Sequence, residues 1–484
     1  MDSLIICFIC AFPLILVLFF LTKSNSGKLP PGPTPLPIIG NLLQLSTKPH
    51  KSLAKLADIH GPIMSLKLGQ ITTIVISSAT LAKEILQTHD LNLSDRTIPD
   101  AIRAQDHHLS MEWLPLGAKW RNLRKICSSY IFAIQKLDLK RDLRRSKIQQ
   151  LIVGVGQSCQ EGKAINLGQA SFGTMLNTLS SSIVSLDLSD SSSDRAKEFT
   201  EAFKSILYEA GKPNVSDFFP FLRKLDPQGI RHRTGVYFGK LLGIFDGMID
   251  ERLELRKQPG YVPADDVLDI LLTLNDEAKI SSEILDRECL KHLFMLLLIA
   301  GSGTTSSTLE SAMAELIQNP KTLSKARTEL EQTIGKGKVV DELDITRLPY
   351  LQAIVKETFR LHQPVPLLIP RKARANVEIR GFIIPKGAQI MVNVYAIGRD
   401  GNTWKDPNSF MPERFLDSDI DVKGHNFELI PFGAGRRMCP GLPLAIRMLY
   451  PMLGSLINMF DWKIEDGSVP MRVIPYTFLN QKCI

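Results

Sequence analysis

The sequence predicts a mainly α-helical protein with small β-sheets, carried on an N-terminal transmembrane anchor helix. Three observations lead there. Residues 4–22, LIICFICAFPLILVLFFLT, carry no charge. Residues 63–68 and 71–77 (IMSLKL, ITTIVIS) are rich in Ile, Val and Thr and read as a strand pair turning near Gly69–Gln70. Apolar residues at helical spacing fill most of the remainder, with the longest run over 283–318.

The anchor comes first in the chain. Nineteen helical residues rise about 28 Å, close to a bilayer core. Asp2 precedes the run, whereas Lys23 and Lys28 follow it. That asymmetry keeps the rest of the chain in the cytosol and argues for an uncleaved, single-pass anchor over residues 1–22. Cys7 and Cys10 form a CxxC inside the apolar run and read as small lipid-facing side chains. Residues 23–41 are a hinge containing LPPGPTPLPIIGN. Its prolines cannot be helical and would hold the following domain stiffly against the membrane.

No linker or internal repeat follows, so residues 42–484 read as one domain. Helices are expected over 79–88, 119–130, 238–257, 283–318, 321–334, 350–361 and 442–460, with a second β region over 377–394. The SDSSSD patch at 189–194 reads as a loop. A hydrophobic content of 44% suffices for a large core. The net charge of +8 suits an acidic partner or a membrane surface, and no nucleic-acid partner is expected. Seven widely spaced cysteines make no disulfide framework and fit a reducing compartment.

Two stretches break the rules of core packing. AGSGTTSS, residues 300–307, places Gly301 and Gly303 inside the longest helix, at a cost of about 1 kcal/mol each relative to Ala. PFGAGRRMCPGLPL, residues 431–444, sets Cys439 among Phe432, Gly435, Arg437 and Gly441, just before a predicted helix. Glycines let backbone approach a ligand closely, and a helix N-terminus with nearby arginines favours a thiolate.

The order Phe432-x-x-Gly435-x-Arg437-x-Cys439-x-Gly441 resembles the haem-binding signature of the cytochrome P450 family. Two further features agree. KETFRLH supplies Glu357 and Arg360, three residues apart on one helix face, and PERF supplies Arg414. The resemblance covers nearly the whole chain and implies the cytochrome P450 fold. It implies haem b with Cys439 as the iron ligand, and such a thiolate promotes O–O cleavage at the haem. It also implies a buried ion network of Glu357, Arg360 and Arg414. Trp120, Arg124, Arg371 and Arg437 match positions that hold the haem propionates, with Phe432 and Gly435 completing the cofactor contacts. AGSGTT matches the oxygen-binding stretch of the central helix, where the glycines permit a local widening and Thr304 bonds a carbonyl or a water. Gly303 stands where the family usually carries an acid.

HGPIMSLKLGQITTIVIS, GKPNVSDFFPFLRKLDPQGIRHR and FELIPFGAGRRMCPGLPLA resemble plant geraniol 8-hydroxylase-like monoterpenoid oxidases. That likeness implies a microsomal haem-thiolate monooxygenase in the endoplasmic reticulum membrane, hydroxylating a small terpenoid alcohol such as geraniol at an allylic carbon. Ile299, Ala300, Val365, Leu368 and Ile369 match substrate-contact regions. Electrons would come from NADPH-cytochrome P450 reductase. Residues 119–147 hold ten Lys/Arg against two Asp, a face suited to steering an acidic reductase. The alternative is a non-catalytic or poorly coupled haem protein. It rests on Gly303 and on a C-terminus read as omitting the family's last strand-turn-strand.

Overall fold

The computed structural model describes residues 28–189, 193–277 and 285–464. The expected anchor over 1–22, the first residues of the hinge, part of the SDSSSD patch and the C-terminal segment lie outside the described residues.

Among the described residues the first α-helix is α1 (Pro49–His60), followed by the strands β1 (Ile63–Leu68) and β2 (Ile71–Ile76), α2 (Ala79–Lys83) and the short β3 (Asp95–Arg96). Helices follow: α3 (Ala118–Ile126), α4 (Ile134–Leu139), α5 (Arg141–Gln160), α6 (Leu167–Val184), α7 (Asp194–Ala210) and α8 (Val215–Phe218). Next come α9 (Ile230–Arg256), α10 (Val267–Asp276), α11 (Arg287–Gln318), α12 (Pro320–Thr333) and α13 (Pro349–Leu361). The last part holds β4 (Arg371–Lys372), β5 (Val377–Ile379), β6 (Phe382–Ile384), β7 (Gln389–Val392), α14 (Val394–Ile397) and α15 (Leu442–Met459). The fold is mainly helical with small sheets.

Hydrophobic spacing found the long elements, and tertiary contacts set their ends. The expected helix over 79–88 divides into α2 and a wide π-type turn at Glu84–Thr88. The one over 119–130 divides likewise into α3 and a wide turn at Cys127–Ile131. Helix α9 begins at Ile230, eight residues before its apolar pattern becomes clear, because the buried Ile230 and Thr234 extend its inner face. The second β region over 377–394 is three separate strands.

Strands β1 and β2 pair antiparallel from Ile63–Ile76 to Leu68–Ile71. Gly69, at φ +58°, makes the turn between them. Strand β7 then joins β2 in parallel, matching Thr73 to Gln389. Strands β4 and β3 complete the order β1-β2-β7-β4-β3, while β5 and β6 form a separate hairpin. With two residues each, β3 and β4 are too short to leave a periodic signal.

Helix α11 crosses the core and is buried on most of its circumference. It is α-helical throughout, without the widening that its glycines were expected to permit. Gly301 instead serves helix packing, since a Cβ there would stand 2.7 Å from Leu179 of α6.

Candidate functional site

The loop before α15 is built around its glycines. Gly433 and Gly435 adopt φ +69° and +70°, a region costly for residues with a Cβ. A side chain on Gly435 would also land on the Leu86 carbonyl oxygen in the turn after α2. The Cys439 N–H donates to the Phe432 carbonyl at 2.9 Å, closing the loop. Phe432 meets Phe359 of α13 edge-on at 5.2 Å.

Cys439 is free, and its side chain is accessible to solvent-sized contact although protein encloses it on all sides. Both observations hold for a residue facing an internal chamber. Burial pushes its thiol up, and the N–H groups of Gly441 and Leu442 together with Arg124 pull the other way. The helix terminus and arginines therefore do not by themselves produce the thiolate that the sequence suggested. Iron coordination would secure it, because a metal-bound thiol is deprotonated outright.

Helix α13, which Phe432 touches through Phe359, carries a buried ion network. Glu357 and Arg360 have no exposed side-chain surface, and Arg360 Nε donates to Glu357 Oε2 at 2.7 Å. Arg414 Nε donates to Glu357 Oε1 at 3.1 Å, and the Met411 N–H donates to the same oxygen at 2.7 Å. Arg360 also donates to the carbonyls of Gly398, Pro407 and Ser409. Each charge is therefore met, as a buried ion requires.

A second set of guanidinium groups gathers beside the loop. Arg124 of α3 donates to the Met438 carbonyl at 2.5 Å. Arg371 of β4 donates to Asp90 at 2.6 Å and to the Ala434 carbonyl at 3.2 Å. Arg437 lies over the Trp120 ring at 5.1 Å and donates to the carbonyls of Ser94, Met111 and Leu114. Arg96 of β3 joins them, donating to the carbonyls of Glu112 and Ile369 at 3.1 and 2.6 Å. Burial pushes Arg437 down to about 10 and Arg96 well below the usual arginine range, and repulsion from Arg371 adds to both.

Asp90 and Arg96 are absent from the sequence reading. Asp90 accepts from Arg371, the Arg436 N–H and Arg436 Nη1, tying the Cys439 loop to the turn after α2. A lone Asp and a lone Arg carry no local signal, and all but one of their partners lie more than 270 residues away.

The middle of α11 presents a mixed surface. Ala300 is exposed and Thr304 half-buried, while Ser302 and Gly303 are buried. Thr304 Oγ1 donates to the Ala300 carbonyl at 2.9 Å. Ile299, Val365 and Leu368 are half-buried and Ile369 is 37% exposed. Leu368 holds a left-handed φ of +51°, and a Cβ on Gly433 would stand 3.9 Å from it. Such strain in a bulky residue is characteristic of ligand-contact loops.

These residues fit a haem. Among the described residues no cluster of His, Cys, Asp and Glu could hold a bare metal ion. A single enclosed cysteine suits a metal that brings most of its own ligands. The crowded guanidinium groups of Arg96, Arg371 and Arg437 suit a ligand bearing carboxylates.

The comparisons with known proteins agree. A cytochrome P450 family model matches residues 30–482. A geraniol 8-hydroxylase from Swertia mussotii is 54% identical over 93% of this chain and 90% of its own length. A geraniol 8-hydroxylase from Catharanthus roseus is 52% identical over 97% of this chain and 95% of its own. A geranylhydroquinone 3''-hydroxylase from Arnebia euchroma is 50% identical over 94% and 91%. None of these matches supports the non-catalytic alternative. An enclosed cysteine loop, a family match over nearly the whole length and monooxygenase relatives at half identity lead to one conclusion: the chain belongs to the cytochrome P450 family and is a haem-thiolate monooxygenase.

Proposed function

We propose that the protein hydroxylates a small terpenoid alcohol such as geraniol at an allylic carbon, using O₂ and electrons from NADPH-cytochrome P450 reductase. The observation that carries this reading is the identity of 52–54% to two geraniol 8-hydroxylases over at least 93% of the chain. A third relative acts by name on a geranylhydroquinone, so a geranyl chain is common to all three. The apolar residues Ile299, Ala300, Val365, Leu368 and Ile369 suit such a chain, since burying it needs hydrocarbon walls and few polar groups.

In this reading Cys439 ligates the haem iron. Trp120, Arg96, Arg124, Arg371 and Arg437 hold its edge, with Phe432 and Gly435 beside it. The bound haem supplies the activation of O₂. Thr304 positions water or a proton beside Ala300, and the network of Glu357, Arg360 and Arg414 keeps the loop in place. Arg121, Lys125 and Arg145 remain exposed for an acidic reductase. Arg124, Lys140, Arg144 and Lys147 are spent on internal partners, which narrows the expected basic face. The uncharged residues 4–22 anchor the protein in the endoplasmic reticulum membrane with the domain in the cytosol. Exposed Leu36, Ile38, Leu43 and Ile59 follow the anchor in sequence and suit a membrane surface.

The first test is the CO difference spectrum of the reduced protein in yeast microsomes, followed by geraniol turnover with reductase. A red-shifted thiolate band with an oxidised geraniol product is the expected result. A normal band without product from geraniol would overturn the substrate assignment, and a missing band would overturn the Cys439 assignment.

A further inference from the structure

The segment Met111–Leu114 serves as a carbonyl platform for two of the gathered arginines. Arg96 donates to the Glu112 carbonyl, and Arg437 to those of Met111 and Leu114. The side chain of Glu112 goes elsewhere. By surface area it is half-buried, yet protein encloses it in every direction. Cys439 shows the same combination, and a side chain facing an internal chamber accounts for both. Glu112 Oε2 has no hydrogen-bond partner. An orphaned carboxylate oxygen at such depth is costly. Nothing in the fold or in the proposed substrate binding makes use of it.

We propose that Glu112 takes up a proton when the haem held by Cys439 accepts an electron, and so makes the reduction potential depend on pH. The groups facing it are Arg96 from β3, Arg437 from the cysteine loop, Cys127 from the turn after α3 and the adjacent Trp113 indole. Arg437, lowered to about 10, stays charged near neutrality. Burial pushes the Cys127 thiol up to about 12, so its proton is fixed. Asp90, another acid of the cluster, is already bonded to Arg371 and Arg436. Glu112 is different. Burial, only partly offset by its own backbone N–H, Arg96, the Trp113 indole and Arg437, pushes it up to about 7. Charge added to an enclosed chamber favours proton uptake by whichever nearby group is poised to titrate.

The step balances. One electron passes from a one-electron donor, the reductase in the cell or a mediator in a titration, and ferric iron becomes ferrous. One proton from solvent adds to the Glu112 carboxylate, leaving the net charge of the chamber unchanged. Glu112 is thus a positioning residue acting through the haem. The inference rests on haem at Cys439 and not on which terpenoid is oxidised.

A spectroelectrochemical titration of the full-length holoprotein in lipid nanodiscs, from about pH 6 to about pH 8, tests it. In the wild type the midpoint potential should fall as pH rises through neutrality, by up to about 59 mV per tenfold drop in proton concentration. Glu112→Gln should flatten that line, and Glu112→Asp should keep a slope. A wild-type potential independent of pH, or a Gln variant with the wild-type slope, overturns the proposal. Should the Gln variant fail to take up haem, the redox-difference infrared spectrum of the wild type decides. A carboxylic acid C=O band that grows on reduction and shifts in D₂O supports the assignment, and its absence overturns it. The thiolate CO band recorded on the same samples reports separately whether Cys439 ligates haem.

Discussion

Gly303 poses the sharpest question at the scale of a single residue. It lies in α11 beside Thr304, whose hydroxyl is already spent on the Ala300 carbonyl. Neighbouring hydroxyls are spent the same way, Ser302 on the Leu298 carbonyl and Thr308 on that of Thr304. None of these three hydroxyls is free to pass a proton on, and residues 300–307 carry no acid. Proton delivery would then depend on ordered water, which would give reduced oxygen time to escape as hydrogen peroxide. Gly303→Asp should raise product formed per NADPH and lower peroxide. The same change puts a carboxylate at a buried position, so the melting temperature should fall by an amount worth about 1–3 kcal/mol. Opposite movements of coupling and stability would be diagnostic. Unchanged or lower coupling in a variant that keeps its thiolate band would refute the role.

Among the elements, the junction between the 3₁₀ turn Ala101–Ala104 and the segment from α8 to α9 is the least settled electrostatically. Asp100 has no exposed surface, and neither carboxylate oxygen has a hydrogen-bond partner. Its nearest cations are Arg231 at 3.7 Å and Arg223 at 4.0 Å. Asp217 accepts the Asp100 N–H at 2.6 Å. Burial first, and the charge of Asp100 in addition, push Asp217 from 3.8 to about 6. A carboxyl raised in the folded state binds more protons there than in the unfolded chain. Its penalty is absent below the unfolded value and grows as pH rises through the folded one. Acidification from neutrality towards pH 4 should therefore relieve this junction. Asp217→Asn should stabilise the protein at neutral pH by about 1–3 kcal/mol, because the amide carries no charge and can donate to Asp100. Thermal unfolding at several pH values checks this. A variant less stable than the wild type at neutral pH would contradict it. None of this was legible in the sequence, where Asp100 and Asp217 lie more than a hundred residues apart in segments without periodicity. The helices bearing Glu357 and Thr304 were legible because their spacing is local.

The same contrast holds for the whole molecule. Sequence marked the cysteine loop and the Glu-x-x-Arg pair, since each is a short pattern whose chemistry is complete within one element. It could not mark Asp90, Arg96 or Glu112, which act only because a five-stranded sheet and a wide turn bring remote segments to one wall. The fold is closed by pairings of that long-range kind. Glu357 is the anionic centre where α13 meets the segment from Lys405 to Arg414, and Arg360 carries the link on to Gly398. Substituting it leaves Arg360 and Arg414 enclosed without a counter-ion, which costs about 3–5 kcal/mol. That is a large share of the roughly 5–15 kcal/mol that holds a domain folded. Glu357→Gln should therefore sharply reduce recovered holoprotein, with the thiolate CO band lost or shifted to the inactive position. Arg195→Ala breaks a pair whose side chains are 40% and 53% exposed and should cost no more than about 1 kcal/mol. Comparing both variants in one expression host separates assembly of the cysteine wall from general damage. If Glu357→Gln gave wild-type holoprotein and melting temperature, the buried network would be dispensable, and the loop's own glycines and Asp90 would have to hold Cys439 in place.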